Sequence, residues 1–209
     1  MIREGLDSLG MRVSSPTITV FDLEYTAWEC SMARQWMTPG EYREVVQIGA
    51  VKLNADTFAE IDAFDVLVRP RINPQLSPYF QNLTGITQEA VTRSGVDFAD
   101  AYARFLNFAG DAPIAAFGRD EQVLLDNLRL YGIAGTRDLP VFYNLRGWFA
   151  VQGLDPRGFL SCDIAPALGV PFVGHTHNAL NDARSLAAGM AALAARGGVR
   201  ITTRVGAAA

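Results

Sequence analysis

Cysteine and long apolar runs are both scarce in this chain of 209 residues. Its two cysteines, Cys30 and Cys162, are too few for a disulfide framework, and this scarcity is typical of a reducing compartment. No stretch approaches the roughly 20 apolar residues that span a bilayer. The opening MIREGLDSLGMRVSSP also lacks the apolar core of a secretory signal. We therefore expect a cytoplasmic protein that does not bind membranes.

An excess of positive charge is missing as well, because 18 basic residues stand against 22 acidic ones and the net charge is −4. This excludes a partner held by global positive charge, so any nucleic acid must bind at a local site. A hydrophobic share of 49% and a charged share of 19% are typical of a soluble globular protein and exclude bulk disorder. The length suits one domain, which we place at residues 16–196, with peripheral segments at 1–15 and 197–209.

Strand and helix patterns alternate along the chain and predict an α/β fold with one mixed sheet of about five strands and helices on both faces. The predicted strands are Ile18–Leu23, an antiparallel hairpin of Val45–Asn54 and Ala59–Val68, Pro113–Phe117, and a strand around Val141–Asn144. Helices are predicted after Asp97, at Glu121–Tyr131 and after His177. Residues Tyr25 to Tyr42 are interpreted as a loop insertion, and Pro70, Pro74 and Pro78 predict a further loop.

Two acids, Asp22 and Glu24, stand at the end of the first predicted strand. Alternation along a strand sends both side chains to one face, with Leu23 on the other. Two buried carboxylates repel each other and need a cation or strong donors, whereas two solvated acids at a strand exit would need neither. Alone, this pair does not decide between the two interpretations.

Further candidates lie near predicted helix starts. Asp120 follows a strand and a Gly118-Arg119 turn, where an aspartate is also a common helix cap. His177 and Asp182 are five residues apart and converge only if His177 lies in the loop before the helix. A histidine at a helix N-terminus stays neutral and can act as a base, although for this pair alone a surface loop histidine beside an aspartate in the first turn is the simpler interpretation.

As a set, the candidates are much more specific than any one of them. Four carboxylates at strand and helix ends form an oxygen-rich site that suits Mg²⁺ or Mn²⁺. A neutral histidine beside two such ions is suited to the hydrolysis of a phosphodiester. The catalytic prediction comprises Asp22, Glu24, Asp120, His177 and Asp182.

The segments FDLEYT, FGRDEQVL and HNALNDA resemble, in order and spacing, the three motifs of the DEDDh 3′→5′ exonucleases, which have the ribonuclease H-like fold. The stretch RPRINPQLSPYFQNLTGIT is similar to the same region of the histone-mRNA exonuclease and its bacterial relatives. The resemblance covers about residues 16–196. It implies that Asp22, Glu24 and Asp182 hold one metal ion, that Asp22 and Asp120 hold the second, and that His177 is the general base.

The same resemblance implies which residues contact the nucleic acid. Tyr25 and Thr26 would lie near the terminal nucleotide, and Leu83 and Thr84 would face its base. The full set of expected nucleic-acid contacts is Leu23, Tyr25, Thr26, Leu83, Thr84 and Phe117.

The sequence therefore predicts a metal-dependent exonuclease that removes nucleotides from a single-stranded 3′ end, RNA rather than DNA. Two alternatives stay open at this point. One is a DNA-proofreading subunit, and the other is a nucleic-acid-binding module with an inactive nuclease centre.

Overall fold

The computed structural model describes residues 15–196, and its centre is one five-stranded sheet. The strands are β1 Thr17–Tyr25, β2 Val45–Asn54, β3 Glu60–Leu67, β4 Ile114–Ala116 and β5 Phe142–Asn144. Their spatial order is β3-β2-β1-β4-β5, in which β1, β4 and β5 run parallel and β2 is antiparallel to β1 and β3. The predicted mixed sheet and its antiparallel hairpin are confirmed.

Helices cover both faces of this sheet, as predicted. They are α1 Pro78–Thr84, α2 Gln88–Ser94, α3 Phe98–Ala109, α4 Asp120–Leu130, α5 Leu145–Val151, α6 Ile164–Ala167 and α7 Ala179–Ala195, with a 3₁₀ turn at Ser161–Asp163. One apolar cluster joins the sheet to α5, α6 and α7, and a second joins the opposite face to α3 and α4. The strand β1 is buried on both faces, which explains why it is a nearly continuous apolar run.

The structure corrects the predicted loop after β3, because α1 and α2 form within that stretch. Pro78 begins α1 rather than breaking the chain, since the first helical position needs no backbone N–H. Ser77 caps the helix by accepting a hydrogen bond from the Phe80 N–H at 3.0 Å. The short helix α5 was also not predicted, although its Trp148 and Phe149 are fully buried.

Apart from Ser15, the predicted peripheral segments 1–15 and 197–209 lie outside the described residues. The division of the chain into these segments and a domain at 16–196 stays a prediction. Between residues 15 and 196, no helix has the length and apolar character needed to cross a membrane.

Candidate active site

The strand β1 brings Asp22 and Glu24 to one face of the sheet. Ile18 and Val20 pack in the cluster beneath α7, and the two acids continue the same alternation towards the end of the strand. Leu23 packs in the cluster on the opposite face. Both carboxylate residues are only 8% exposed, so the prediction that they share a buried face is confirmed.

The helix α7 supplies the acid that faces them. Asn178 caps this helix, and Asp182 is its fourth residue, with an exposed fraction of 3%. His177 lies in the preceding loop, where its φ of 56° is unusual for a residue other than glycine. Gly174, with a φ of 102°, turns the chain before it. The predicted arrangement, with histidine in the loop and aspartate in the first turns, is confirmed.

A missing side chain on β2 lets α7 approach the acids. Gly49 lies directly opposite Asp22 in the β1–β2 register. A Cβ at Gly49 would lie 2.1 Å from the backbone nitrogen of Leu180, closer than any real contact. The first turn of α7, which carries Asp182, therefore packs directly on the sheet backbone.

A polar side chain on β2 fixes the start of α7. Gln47 lies opposite Glu24 and is buried, and its Oε1 accepts the Ala179 N–H at 2.9 Å. Its Nε2 donates to Asp65 Oδ1 at 2.8 Å, which orients the amide. Because Ala179 is the first residue of α7, Gln47 satisfies a backbone donor that the helix cannot satisfy itself.

Asp120 enters the site from β4 through the Gly118-Arg119 turn. It is the first residue of α4, so the helix begins one residue earlier than predicted, and Arg119 occupies the cap position. The Asp120 side chain is half-buried and lines the same cleft as Asp22 and His177. The structure thus brings all the predicted catalytic residues to one cleft of about 270 Å³.

Burial, and for three of the four acids also a neighbouring carboxylate of the site, disfavours the charged form of these carboxyl groups. Burial, reinforced by the charge of Asp182, raises the pKa of Asp22 to about 8. Burial and the neighbouring carboxylates raise the pKa of Glu24 well above its usual range, and burial together with Asp22 does the same for Asp120. Burial raises the pKa of Asp182 to about 7. A cation at this point would remove the repulsion.

The donor set fits a divalent metal ion. Asp182 Oδ1 is buried without a hydrogen-bond partner, which is costly unless another ligand satisfies it. Glu24, His177 and Asp182 each place a possible ligand atom within 4.8 Å of the others. Buried, mutually repelling carboxylate oxygens are the donors that hard cations prefer.

The two histidines differ in their surroundings. His177 is half-buried and lines the cleft, whereas His175 is exposed. Burial, followed by the effect of His175, lowers the pKa of His177. A lowered pKa keeps the imidazole neutral near pH 7, which is the state a proton acceptor needs.

Ser161 and Arg146 are parts of the site that the sequence analysis missed. Ser161 Oγ donates to Asp22 Oδ1 at 2.7 Å across 139 residues of chain. Arg146 holds the loop before Ser161 by donating to the carbonyls of Pro156 at 3.1 Å and Phe159 at 2.9 Å. Ser161 stands between a leucine and a cysteine and belongs to no recognisable motif, so the sequence offers no signal for its contact with Asp22.

The predicted nucleic-acid contacts fall into two groups. Leu23, Tyr25, Leu83 and Phe117 line the cleft. Thr26 and Thr84 are buried behind its wall, and neither belongs to the cleft lining.

The hydroxyls of these two threonines are engaged within the protein. Thr26 Oγ1 donates to the Tyr42 carbonyl and accepts the Glu44 N–H. Thr84 Oγ1 donates to the Phe80 carbonyl at 2.9 Å and accepts the Ile86 N–H at 3.0 Å. Both threonines therefore support the wall of the cleft.

Sequence comparisons match residues 19–131 to the family model described as Exonuclease, which is more than half of the chain. The mouse 3'-5' exoribonuclease 1 is 37% identical over 90 residues, which are 43% of this chain and 23% of the mouse protein. The human 3'-5' exoribonuclease 1 is 38% identical over 78 residues, 37% of this chain and 20% of the human protein. These matches thus span no more than about a quarter of the relatives' lengths.

Structural comparisons show the same fold in solved nucleases. The nuclease domain of 3'hExo, a DEDDh family member bound to rAMP, has a TM-score of 0.73 at 24% identity, covering 90% of this chain and 96% of that domain. Cell-death related nuclease 4 has a TM-score of 0.69 at 18% identity, covering 88% of this chain and 65% of the other. E. coli Exonuclease I in complex with a dA16 oligonucleotide has a TM-score of 0.60 at 19% identity, covering 86% of this chain and 40% of the other.

These neighbours confirm the predicted ribonuclease H-like fold, and the family model includes the strand and helix that carry Asp22, Glu24 and Asp120. His177 and Asp182 lie beyond the matched segment, and the fold brings them to the same cleft. With family model, fold and convergent acids in agreement, the chain belongs to the DEDDh-type 3′→5′ exonuclease family.

Proposed function

We propose that this protein is a metal-dependent 3′→5′ exonuclease that hydrolyses phosphodiester bonds from single-stranded 3′ ends, with RNA preferred over DNA. The observation that carries the proposal is the buried, unpartnered Asp182 Oδ1 within a cluster of four carboxylates whose pKa values are raised. Such a cluster is unfavourable unless it binds cations, and a binding module would gain nothing from it.

The residues that would hold the metal ions follow from the resemblance and from the shared cleft. Asp22, Glu24 and Asp182 would hold one Mg²⁺ or Mn²⁺, and Asp22 with Asp120 would hold the second. When bound, these ions supply positive charge to the phosphate and lower the pKa of the attacking water. The Ser161 hydroxyl orients the Asp22 carboxylate, since one of its oxygens is engaged at 2.7 Å.

His177 would accept the proton of the attacking water. Its neutral imidazole lines the cleft within 4.8 Å of ligand atoms of Glu24 and Asp182. The loop that carries it is held by the Asn178 cap of α7 and by Asn181 Nδ2, which donates to the His175 carbonyl at 3.1 Å. A base held in this way is positioned before the substrate arrives, which lowers the entropic cost of proton transfer.

The preference for RNA is supported by relatives rather than by a contact within the cleft. The mouse and human relatives are named exoribonucleases, and the 3'hExo domain was solved with rAMP. The complex of E. coli Exonuclease I with dA16 shows that the same fold also accommodates DNA.

The test is degradation of matched RNA and DNA oligomers that carry a 5′ label and a free or blocked 3′ end. With Mg²⁺ or Mn²⁺, we expect the free single-stranded RNA to shorten one nucleotide at a time, and no cleavage in excess EDTA. Asp182→Asn is the matched inactive control.

Each other outcome contradicts part of the proposal. Early release of the labelled 5′ nucleotide would refute the direction, and full turnover in EDTA would refute the metal requirement. Faster degradation of DNA would favour a proofreading nuclease. Binding of the oligomers without cleavage in the presence of either Mg²⁺ or Mn²⁺ would favour a nucleic-acid-binding module with an inactive nuclease centre.

A further inference from the structure

One tryptophan of the insertion between β1 and β2 has a fixed backbone and an unengaged ring. The Trp28 N–H donates to Ser31 Oγ at 2.8 Å, and the Trp28 carbonyl accepts the Ser31 N–H at 2.9 Å. Its half-buried side chain lines the cleft. Within residues 15–196 the ring packs against no other aromatic ring, and its indole N–H has no hydrogen-bond partner.

The second tryptophan of the insertion is engaged within the protein. Trp36 Nε1 donates to the Thr26 carbonyl at 2.9 Å, and its ring packs edge-on against Tyr25 with centroids 5.4 Å apart. The Arg43 guanidinium lies 5.8 Å from the Trp36 ring centroid. Trp36 therefore braces the insertion, whereas the Trp28 ring lines the cleft without such a contact to any residue of 15–196.

The insertion is held as a wall before any substrate binds. Arg34 and Glu41 form an ion pair across it. Ser77 Oγ donates to the Ala27 carbonyl and ties the insertion to the start of α1. A wall ordered in advance lowers the conformational entropy lost on binding.

Other side chains on this part of the cleft are apolar or cationic. Met32 is 67% exposed and Tyr79 of α1 is 41% exposed, and both line the cleft with Trp28. Arg43 also lines the cleft, and besides its contact with the Trp36 ring it forms a long ion pair of 3.4 Å with Asp126. A half-buried tryptophan, an exposed tyrosine and an arginine that line one cleft with the acids are suited to the bases and phosphates of a single strand.

We propose that Trp28 is a stacking platform for the base of a nucleotide on the 5′ side of the scissile linkage, and that it makes the enzyme require an unpaired 3′ end. This inference rests on the proposed exonuclease function. Trp28 lies four residues beyond Glu24 in the segment that leaves the sheet, which allows a separation of up to about 14 Å from the acids. A base within a duplex is stacked on its neighbours and cannot offer its face to Trp28.

The kinetic test compares kcat/KM for a single-stranded RNA decamer with kcat/KM for the p-nitrophenyl ester of the 5′-nucleotide that the enzyme releases. The ester has no upstream base. Trp28→Ala should lower the decamer-to-ester ratio by about 10- to 100-fold, the range of a lost base–aromatic stack. Trp28→Phe should recover most of the ratio, and Met37→Ala, an exposed position of the same insertion outside the cleft lining, should keep the wild-type ratio. Equal losses on both substrates, or no loss on the decamer, would overturn the proposal.

A binding measurement separates this proposal from the proposed function. An RNA decamer with phosphorothioate linkages at its 3′ end should quench the tryptophan fluorescence of the wild type, and Trp28→Phe should remove most of that quenching. Quenching by Trp28 without cleavage of any substrate would refute the exonuclease function and leave the platform intact. Cleavage with quenching unchanged in Trp28→Phe would refute the platform and leave the function intact.

Discussion

Substitution of Gly49 by alanine tests whether close packing of α7 on β2 sets the catalytic geometry. The new Cβ would meet the Leu180 nitrogen at 2.1 Å and the Ala179 carbonyl carbon at 2.2 Å. Both atoms belong to the backbone, so no side chain can rotate away. Because ordinary contacts begin near 3.4 Å, the first turn of α7 must move by about 1 Å or more relative to the sheet, and Asp182 must move with it.

The expected cost differs for stability and for catalysis. Overpacking of this kind costs about 1–3 kcal/mol of unfolding free energy, which corresponds to a fall in Tm of about 2–12 °C for a chain of this size. A displacement of about 1 Å at the reacting groups costs on the order of 100-fold in rate. The assay is kcat/KM on single-stranded RNA, measured well below the variant's Tm and beside a thermal melt.

Gly189→Ala is the control on the same helix. Its new Cβ would lie 2.6 Å from Ile164 Cγ2, a side-chain methyl, and about 13 Å along α7 from the Gly49 contact. We expect a change in Tm with kcat/KM within a few-fold of wild type. If Gly49→Ala kept more than a third of the wild-type kcat/KM, the inference that this contact positions Asp182 would be wrong.

Three further predictions concern individual side chains. In the metal-free protein, burial raises the pKa of Asp22 to about 8, so the folded state binds this proton more tightly than the unfolded state does. Stability is therefore lost as the pH rises from about 4 towards 8. In EDTA, Asp22→Asn should melt above wild type at about pH 8 and its Tm should depend less on pH, whereas parallel curves of Tm against pH for the two proteins would contradict this. His177→Ala should lose on the order of 10²–10⁴ in single-turnover rate and still bind metal, whereas His175→Ala should stay within a few-fold, and equal losses would contradict the assignment of the base. Because burial lowers the pKa of His177, the wild-type rate should rise with pH through an inflection below the usual pKa of a histidine, and this rise should be absent in His177→Ala. Ser161→Ala should raise the metal concentration needed for half-maximal activity about 10- to 100-fold, and an unchanged metal dependence would show that the 2.7 Å contact does not orient Asp22.

The parts of the fold that could be predicted are those with a long, regular hydrophobic pattern. The strands β1 and β2 bury long apolar runs, and α3 and α7 have a clear apolar face. The helices α1 and α2 have seven residues each and bury only two and one of them. Their boundaries depend on caps at Ser77 and Thr87, and three prolines in the same stretch favour a loop, so periodicity alone could not find them.

The site could be predicted where local geometry is enough to place a side chain. Alternation along β1 places Asp22 and Glu24 on one face, and the helix start places Asp182 after the His177 loop. The support for these residues was not predictable in the same way. Ser161 reaches Asp22 across 139 residues, and a contact between such distant positions leaves no local pattern.

The strand β2 shows how such support is built without a catalytic side chain. In an antiparallel pair, residues opposite the acids of β1 are fixed by the register, and here they are Gly49 opposite Asp22 and Gln47 opposite Glu24. Both positions serve α7, the glycine by leaving room for its first turn and the glutamine by accepting the Ala179 N–H. A glycine inside a strand and a buried glutamine are each locally unfavourable. The reason for these two unfavourable residues becomes clear only from their contacts with α7. Each of them helps α7 to pack so that Asp182, an acid carried by the helix, reaches the two acids of β1.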